Sequence, residues 1–173
     1  LYENTVDTLL EILLRFQEQG WSVPKVWFYC NQQSAETMDD KEVIKKVYER
    51  WYTQERFADL WFAPNGKPLI TKGWNTVWNE NDQLEKTISE TFEFRLRQWP
   101  TEAFNDNGIP WIEFTYPQPV HNGWMNVSVA QHANTVAFSD REKNWGRGYD
   151  FATGKNDDEH FREGINFKQQ WDT

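Results

Sequence analysis

Apolar positions in this chain follow two rhythms. From 5 to 19, T-V-D-T-L-L-E-I-L-L-R-F-Q-E-Q, they recur every three or four residues, which lines side chains along one side of an α-helix. Val6, Leu9, Leu10, Leu13, Leu14 and Phe16 form the predicted apolar stripe, and Gly20 is its predicted stop, since glycine tolerates the left-handed conformation that closes helices. K-V-W-F-Y-C at 25–30 is a compact apolar run, predicted to be a buried strand, with Asn31-Gln32-Gln33 at its end and Ser34 as an N-cap. Helical spacing returns over 39–57, with Val43, Ile44, Val47, Tyr48 and Trp51 on one side. Trp61-Phe62 and the turn Pro64-Asn65-Gly66 lead into a strand, K-P-L-I-T-K, at 67–72. A loop over 73–80 carries Trp74 and Trp78, and a short helix is predicted over 82–90. Strict alternation over 91–99 predicts a strand with Phe92, Phe94 and Leu96 on one face and Glu93, Arg95, Arg97 and Trp99 on the other.

After the turn Asn105-Asp106-Asn107-Gly108, two apolar runs stand out, 109–116 (I-P-W-I-E-F-T-Y) and 125–130 (M-N-V-S-V-A). Each is short, bounded by turn residues and rich in β-branched or aromatic side chains, so each is predicted to be a buried strand. The first ends in Tyr116, Pro117, Gln118 and Pro119; a loop with Gly123 and Trp124 follows; the second ends in Gln131-His132. Residues 139–158 are Gly-rich, charged and aperiodic, the signature of a long surface loop. A helix is predicted over 158–171. Helices alternating with strands predict an α/β fold. The segments 25–30, 68–72, 92–98, 110–116 and 125–131 are accordingly expected in one mostly parallel sheet, although the connections after 99 and 117 are short for crossover helices.

Length changes the picture next. At 173 residues the chain suits a single domain, but a complete (β/α)8 barrel of about 250 residues does not fit. A net charge of -9 counts against nucleic acid, whose binding rests on Lys and Arg neutralising phosphates. No stretch approaches the roughly 18 apolar residues of a membrane span. The chain opens on Leu1 without a Met or signal peptide and reads as processed or cut. Cys30 is the single cysteine, so no disulfide forms within the chain and the compartment stays open. Aromatic residues reach 17%, with 11 Trp. Flat rings with a polar edge suit sugar faces, and they also fill cores and interfaces.

Candidate chemistry gathers at strand ends. Strands buried along their length and polar at their C-terminal ends are what an α/β barrel shows at its active face. Asn31, Tyr116, Gln118, Gln131 and His132 all occupy such positions, and Trp99 and Trp124 are the predicted stacking platforms beside them. Gln131 and His132 can hold a substrate hydroxyl or simply cap a strand. Arg147, between Gly146 and Gly148, can reach into a cleft, with a solvated arginine as the default. Glu113 lies inside an apolar run, where an unpaired carboxylate is costly. It is a candidate catalytic acid, or a structural partner of Arg95 or Arg97, the pair being the favoured reading. His121, His132 and His160 lack metal-ligand spacing, so no metal is expected. Asp157-Asp158-Glu159 fits a helix N-terminus better than a calcium site. No phosphate loop, Rossmann glycine fingerprint or nucleophile elbow is present, and no cofactor is expected.

The strings Y-P-Q (116–118), V-S-V-A-Q-H (127–132), R-G (147–148) and G-I-N-F-K-Q-Q-W-D (164–172), with F-Y-C-N after V-P-K and G-K-P-L-I, resemble bacterial glycoside-hydrolase-like (β/α)8 proteins of the broad family 71/99 type. The resemblance spans most of residues 20–172 through short motifs. It implies a TIM-barrel fold, of which this chain is part, and action on a polysaccharide or glycan. It also implies that the rest of the barrel lies in other polypeptide, the remainder of its own chain included. The family's W-N-E-W strand is absent, so no catalytic carboxylate carries over. What carries over is Asn31, Tyr116, Gln118, Gln131, His132 and Arg147. A glycan substrate goes with an extracellular or periplasmic location.

Three functions compete. A glycoside hydrolase needs two carboxyls about 5–9.5 Å apart, and Glu113 is the candidate found here. A non-catalytic carbohydrate-binding protein keeps an aromatic cleft without the pair. A structural or interaction fragment uses its Trp residues as core. Exposure of Trp74, Trp78, Trp99 and Trp124 separates the third from the other two.

Overall fold

The computed structural model describes residues 3–30, 40–98, 102–113, 116–128 and 148–173. Among the predicted positions, Asn31, Ser34, Trp99, Gln131, His132 and Arg147 lie outside the described residues. The chain divides into two compact units, Leu1–Arg97 and Gln98–Thr173.

The first unit is α/β. Helix α1 (Glu3–Glu18) precedes strand β1 (Phe28–Tyr29), helix α2 (Asp40–Val47), strand β2 (Leu69–Lys72), helix α3 (Gln83–Thr91) and strand β3 (Glu93–Gln98). β1 pairs with β2 in parallel, Phe28 opposite Ile70, and β2 pairs with β3 in parallel, Leu69 opposite Glu93 through Lys72 opposite Leu96. The expected parallel strands with helical crossovers are therefore present here. The 25–30 run pairs in two pieces. Val26 first bridges Trp61 in parallel, its N–H donating to Leu60 O at 2.8 Å. Phe28 and Tyr29 then join β2.

Burial narrows the predicted helices. On α1, Leu10 and Leu13 are buried while Leu9 and Phe16 are exposed, so the stripe facing the core is thinner than its apolar pattern. The helix predicted over 39–57 is α2 continued by a π-helical turn, Tyr48–Tyr52, and then a 3-10 helix, Glu55–Leu60. The wider turn keeps Trp51 fully buried, with its Nε1 donating to Asp7 Oδ1 at 2.7 Å. The core joins Leu10, Leu13, Ile44, Val47, Trp51, Phe57, Leu60, Trp61, Ile70, Ile88 and Phe92. Its aromatic members interlock: Phe28 stacks on Trp51 at 5.4 Å, Tyr52 stacks on Trp61 at 4.1 Å, and Phe92 meets Tyr52 edge-on at 4.5 Å. Helix α3 starts as an N-capped helix should, Asp82 accepting from the Glu85 N–H at 3.0 Å.

The second unit corrects several expectations. The strand predicted over 109–116 is strand β4, Gly108–Pro110, and ends there. Pro110 has no N–H to continue a ladder, and the chain bends at Trp111-Ile112. The strand predicted over 125–131 is instead half of a small antiparallel hairpin, β5 (Val120–His121) with β6 (Trp124–Met125). Asn122 and Gly123 both have positive φ, 49° and 82°, the backbone of a two-residue Asn-Gly hairpin turn. That turn fixes an antiparallel pairing for Met125 where a parallel strand was expected, and residues 129–131 lie outside the described residues. The predicted loop over 139–158 holds a second hairpin in its described part, β7 (Tyr149–Asp150) with β8 (Lys155–Asn156). The single predicted C-terminal helix is two, α4 (Asp158–Glu163) and α5 (Ile165–Trp171), separated by Gly164 in the left-handed conformation.

Candidate functional site

Within the first unit a cleft of about 620 Å³ is lined by Asp40, Lys41, Gly73, Trp74, Asn75, Thr76, Val77 and Arg97. Its members come from the ends of parallel strands. Gly73 to Val77 follow β2 directly, Arg97 stands near the end of β3, and Asp40 opens α2. Open parallel sheets present ligand sites at this carboxyl edge.

Asp40 organises the cleft. It is 4% exposed, and its two oxygens lie 3.1 Å from Arg97 Nη1. Oδ2 also accepts from the Gly73 N–H at 2.6 Å and the Thr76 hydroxyl at 3.3 Å. A buried carboxylate requires such compensation. Gly73 is required on steric grounds: a Cβ there would lie 2.6 Å from Asp40 Oδ2 and 2.7 Å from Arg97 Nη2. Beyond the wall, the Lys72 ammonium donates to the Thr76 carbonyl at 2.7 Å. Burial holds the Lys72 pKa below its ordinary value, and the nearby Asp40 carboxylate opposes that shift.

The cleft mouth is aromatic and partly charged. Trp74 is 57% exposed. Trp78 is half-buried against Phe94, 5.4 Å between rings, with the Lys41 ammonium 5.9 Å from its ring centre. Lys41 pairs with Glu85 at 2.7 Å and Lys45 pairs with it at 3.0 Å. Hydrogen bonds from Lys41, the Asn79 N–H and Lys45 pull the Glu85 carboxyl down to about 2. Cys30, at the end of β1, is buried, and desolvation pushes its thiol up to about 12.

In the second unit, Gln118 points inward. It is 5% exposed, and its amide donates to Asn126 O at 2.8 Å and Gln170 Oε1 at 3.1 Å. Gln170 also accepts from the Ser128 N–H and donates to Asn166 Oδ1, both at 2.8 Å. Asn166 reaches Tyr149 O at 2.9 Å. Tyr116 is 40% exposed and stacks on Phe151 at 4.4 Å. Trp124 lies in β6 opposite His121. The Glu113 carboxylate sits 3.5 Å from His121 Nε2, and Phe104 stacks on that imidazole at 4.2 Å. Within the first unit, Arg95 pairs with Glu93 and Arg97 with Asp40. Of the sequence-derived candidates, Gln118 is thus held in an amide network and Tyr116 against Phe151. The cleft residues Asp40, Gly73, Asn75, Thr76 and Arg97 were not among those candidates. The same strand-end rule applied after 67–72 would have nominated Gly73 to Thr76.

Fold and site together define an α/β unit with a ligand-sized cleft at the carboxyl edge of parallel strands. No family model matches the chain, and no solved structure does. Among curated proteins it is similar to the isoleucine–tRNA ligases of Sulfurihydrogenibium sp. (strain YO3AOP1) and Persephonella marina (strain DSM 14350 / EX-H1), each 21% identical over 131 and 126 residues respectively. Each match takes in 66% of this chain, which spans about 13% of the length of either ligase.

Proposed function

We propose that this chain is a carbohydrate-active protein that holds a polysaccharide or glycan in the cleft at the carboxyl edge of β2 and β3. The observation that carries the reading is Trp74, an indole 57% exposed beside Asn75, Thr76 and Arg97. An exposed ring next to fixed polar groups matches a sugar, whose C–H face packs on the ring while its hydroxyls take hydrogen bonds. Parallel strands with helical crossovers support the further reading of this unit as part of a (β/α)8 barrel. Glu113, the acid candidate of a glycoside hydrolase reading, belongs to the second unit, where its mostly buried carboxylate lies 3.5 Å from His121 Nε2. Asp40 is unsuited to that work: its oxygens are committed to Arg97, Gly73 and Thr76.

The likeness to isoleucine–tRNA ligases offers a second reading, contact with tRNA. The exposed indole of Trp74 beside fixed polar groups favours the glycan. The test is binding of neutral and acidic oligosaccharides to the full chain by calorimetry, before and after Trp74→Ala. Loss of roughly tenfold in affinity is expected, since ring stacking contributes about 0.5–1.5 kcal/mol. Unchanged binding in Trp74→Ala, or binding of tRNA and no glycan, overturns the proposal.

A further inference from the structure

The cleft's charges are unequally matched. Asp40 offsets Arg97, and Glu85 offsets Lys41. Lys72 has only the Thr76 carbonyl as acceptor, and no carboxylate at ion-pair distance among the described residues. A partly buried ammonium that the Asp40 carboxylate offsets only from beyond ion-pair distance is unfavourable, and burial lowers its pKa accordingly. Arg97 spends Nη1 on Asp40, leaving Nε and Nη2 without an acceptor among the described residues. Planar guanidinium donors in that arrangement suit a carboxylate. In a chain of net charge -9, this cleft is lined by two cations and one anion, and Lys72, outside that lining, is bonded to the carbonyl of its Thr76.

Resting on the carbohydrate reading above, we propose that the glycan taken by this cleft is acidic, and that Arg97 receives a sugar carboxylate in the field of Lys72. Asp40 is the positioning residue that fixes the guanidinium, and Gly73 leaves room for the pair. Trp74 stacks on the uronic acid ring or its neighbour.

The test uses the full chain and a panel of galacturonate, glucuronate and mannuronate oligosaccharides, each paired with its carboxyl-reduced neutral counterpart. At least one acidic member should bind tenfold or more tighter than its neutral twin, and that margin should shrink as salt rises. Lys72→Met should abolish most of the margin while leaving the neutral affinity as it was, and Lys72→Arg should restore it. Arg97→Gln should also abolish most of the margin, and lower the neutral affinity with it; because it strips Asp40 of its partner, its folding is checked by circular dichroism, and Lys72→Met carries the test if it unfolds. Equal binding of acidic and neutral twins, or a margin untouched by Lys72→Met in the folded protein, overturns the acidic inference and leaves the carbohydrate reading standing. Failure of every sugar, acidic and neutral, overturns that reading and this inference with it.

Discussion

Gly73 shows how little freedom the cleft leaves a single residue. Its φ is ordinary, so the restriction is contact alone: one added carbon meets the Asp40 carboxylate and the Arg97 guanidinium within 2.7 Å. Gly73→Ala is expected to cost about 1–3 kcal/mol, the usual range for overpacking, read as a lower urea midpoint and a weakened sugar affinity together. Glu85 makes a pH prediction. Its folded pKa lies at about 2, below its ordinary value of 4.5, so its contribution to stability is present above about pH 4.5 and is lost as pH falls through the folded value. Glu85→Gln should flatten stability between those limits, checked by urea unfolding at pH 5, 4 and 3. Cys30, with its thiol near 12, should resist alkylation by iodoacetamide at pH 8 in the native protein and react once urea exposes it.

At the scale of elements, the two C-terminal helices make the clearest prediction. Gly164 closes α4 with φ 65°, a conformation that costs a residue with a Cβ about 1 kcal/mol. Gly164→Ala should lower the unfolding free energy by about that amount, read as a lower urea midpoint at unchanged slope, and a stabilised variant would mean that α4 and α5 can run together. The sequence made some elements easy to see. Val43, Ile44 and Val47 repeat at helical spacing, and Phe92, Phe94 and Leu96 alternate; α2 and β3 follow those patterns. Other patterns misled for identifiable reasons. Ile109 to Tyr116 looked like one strand because apolar content was weighed above Pro110. The Asn122-Gly123 pair is the turn signal that decides the next segment, and it outweighs the apolar run from Met125 to Ala130. The cleft was harder to see, because Asp40 and Arg97 stand 57 positions apart, and nothing in a linear pattern announces that they meet. Gln118 poses the same difficulty: an amide at an apparent strand end looks like a ligand contact, yet it donates to Gln170, 52 positions away.

For the whole molecule, charge is the property that reaches furthest. With a sequence pI near 4.8, the protein should associate most strongly around that pH, because self-repulsion is then least. Turbidity should peak near pH 4.8 and clear on return to neutrality. The loss of stability on the acid side of Glu85 is a separate event at lower pH. Light scattering and circular dichroism recorded on the same samples distinguish them.

The described tryptophans span the range of environments, with Trp27, Trp78, Trp111 and Trp124 between the extremes. Trp51 is 0% and Trp61 6% exposed inside a ring cluster, whereas Trp21, Trp74 and Trp171 are 64%, 57% and 62% exposed. Indole emission shifts to shorter wavelength in a dry, apolar setting and to longer wavelength in water, so this chain carries two colours of intrinsic light. Acrylamide should quench the red component first and leave the blue one until the core opens. Because Trp74 lines the cleft, a bound glycan would shield one red emitter selectively, and occupancy of the site could be followed without a label.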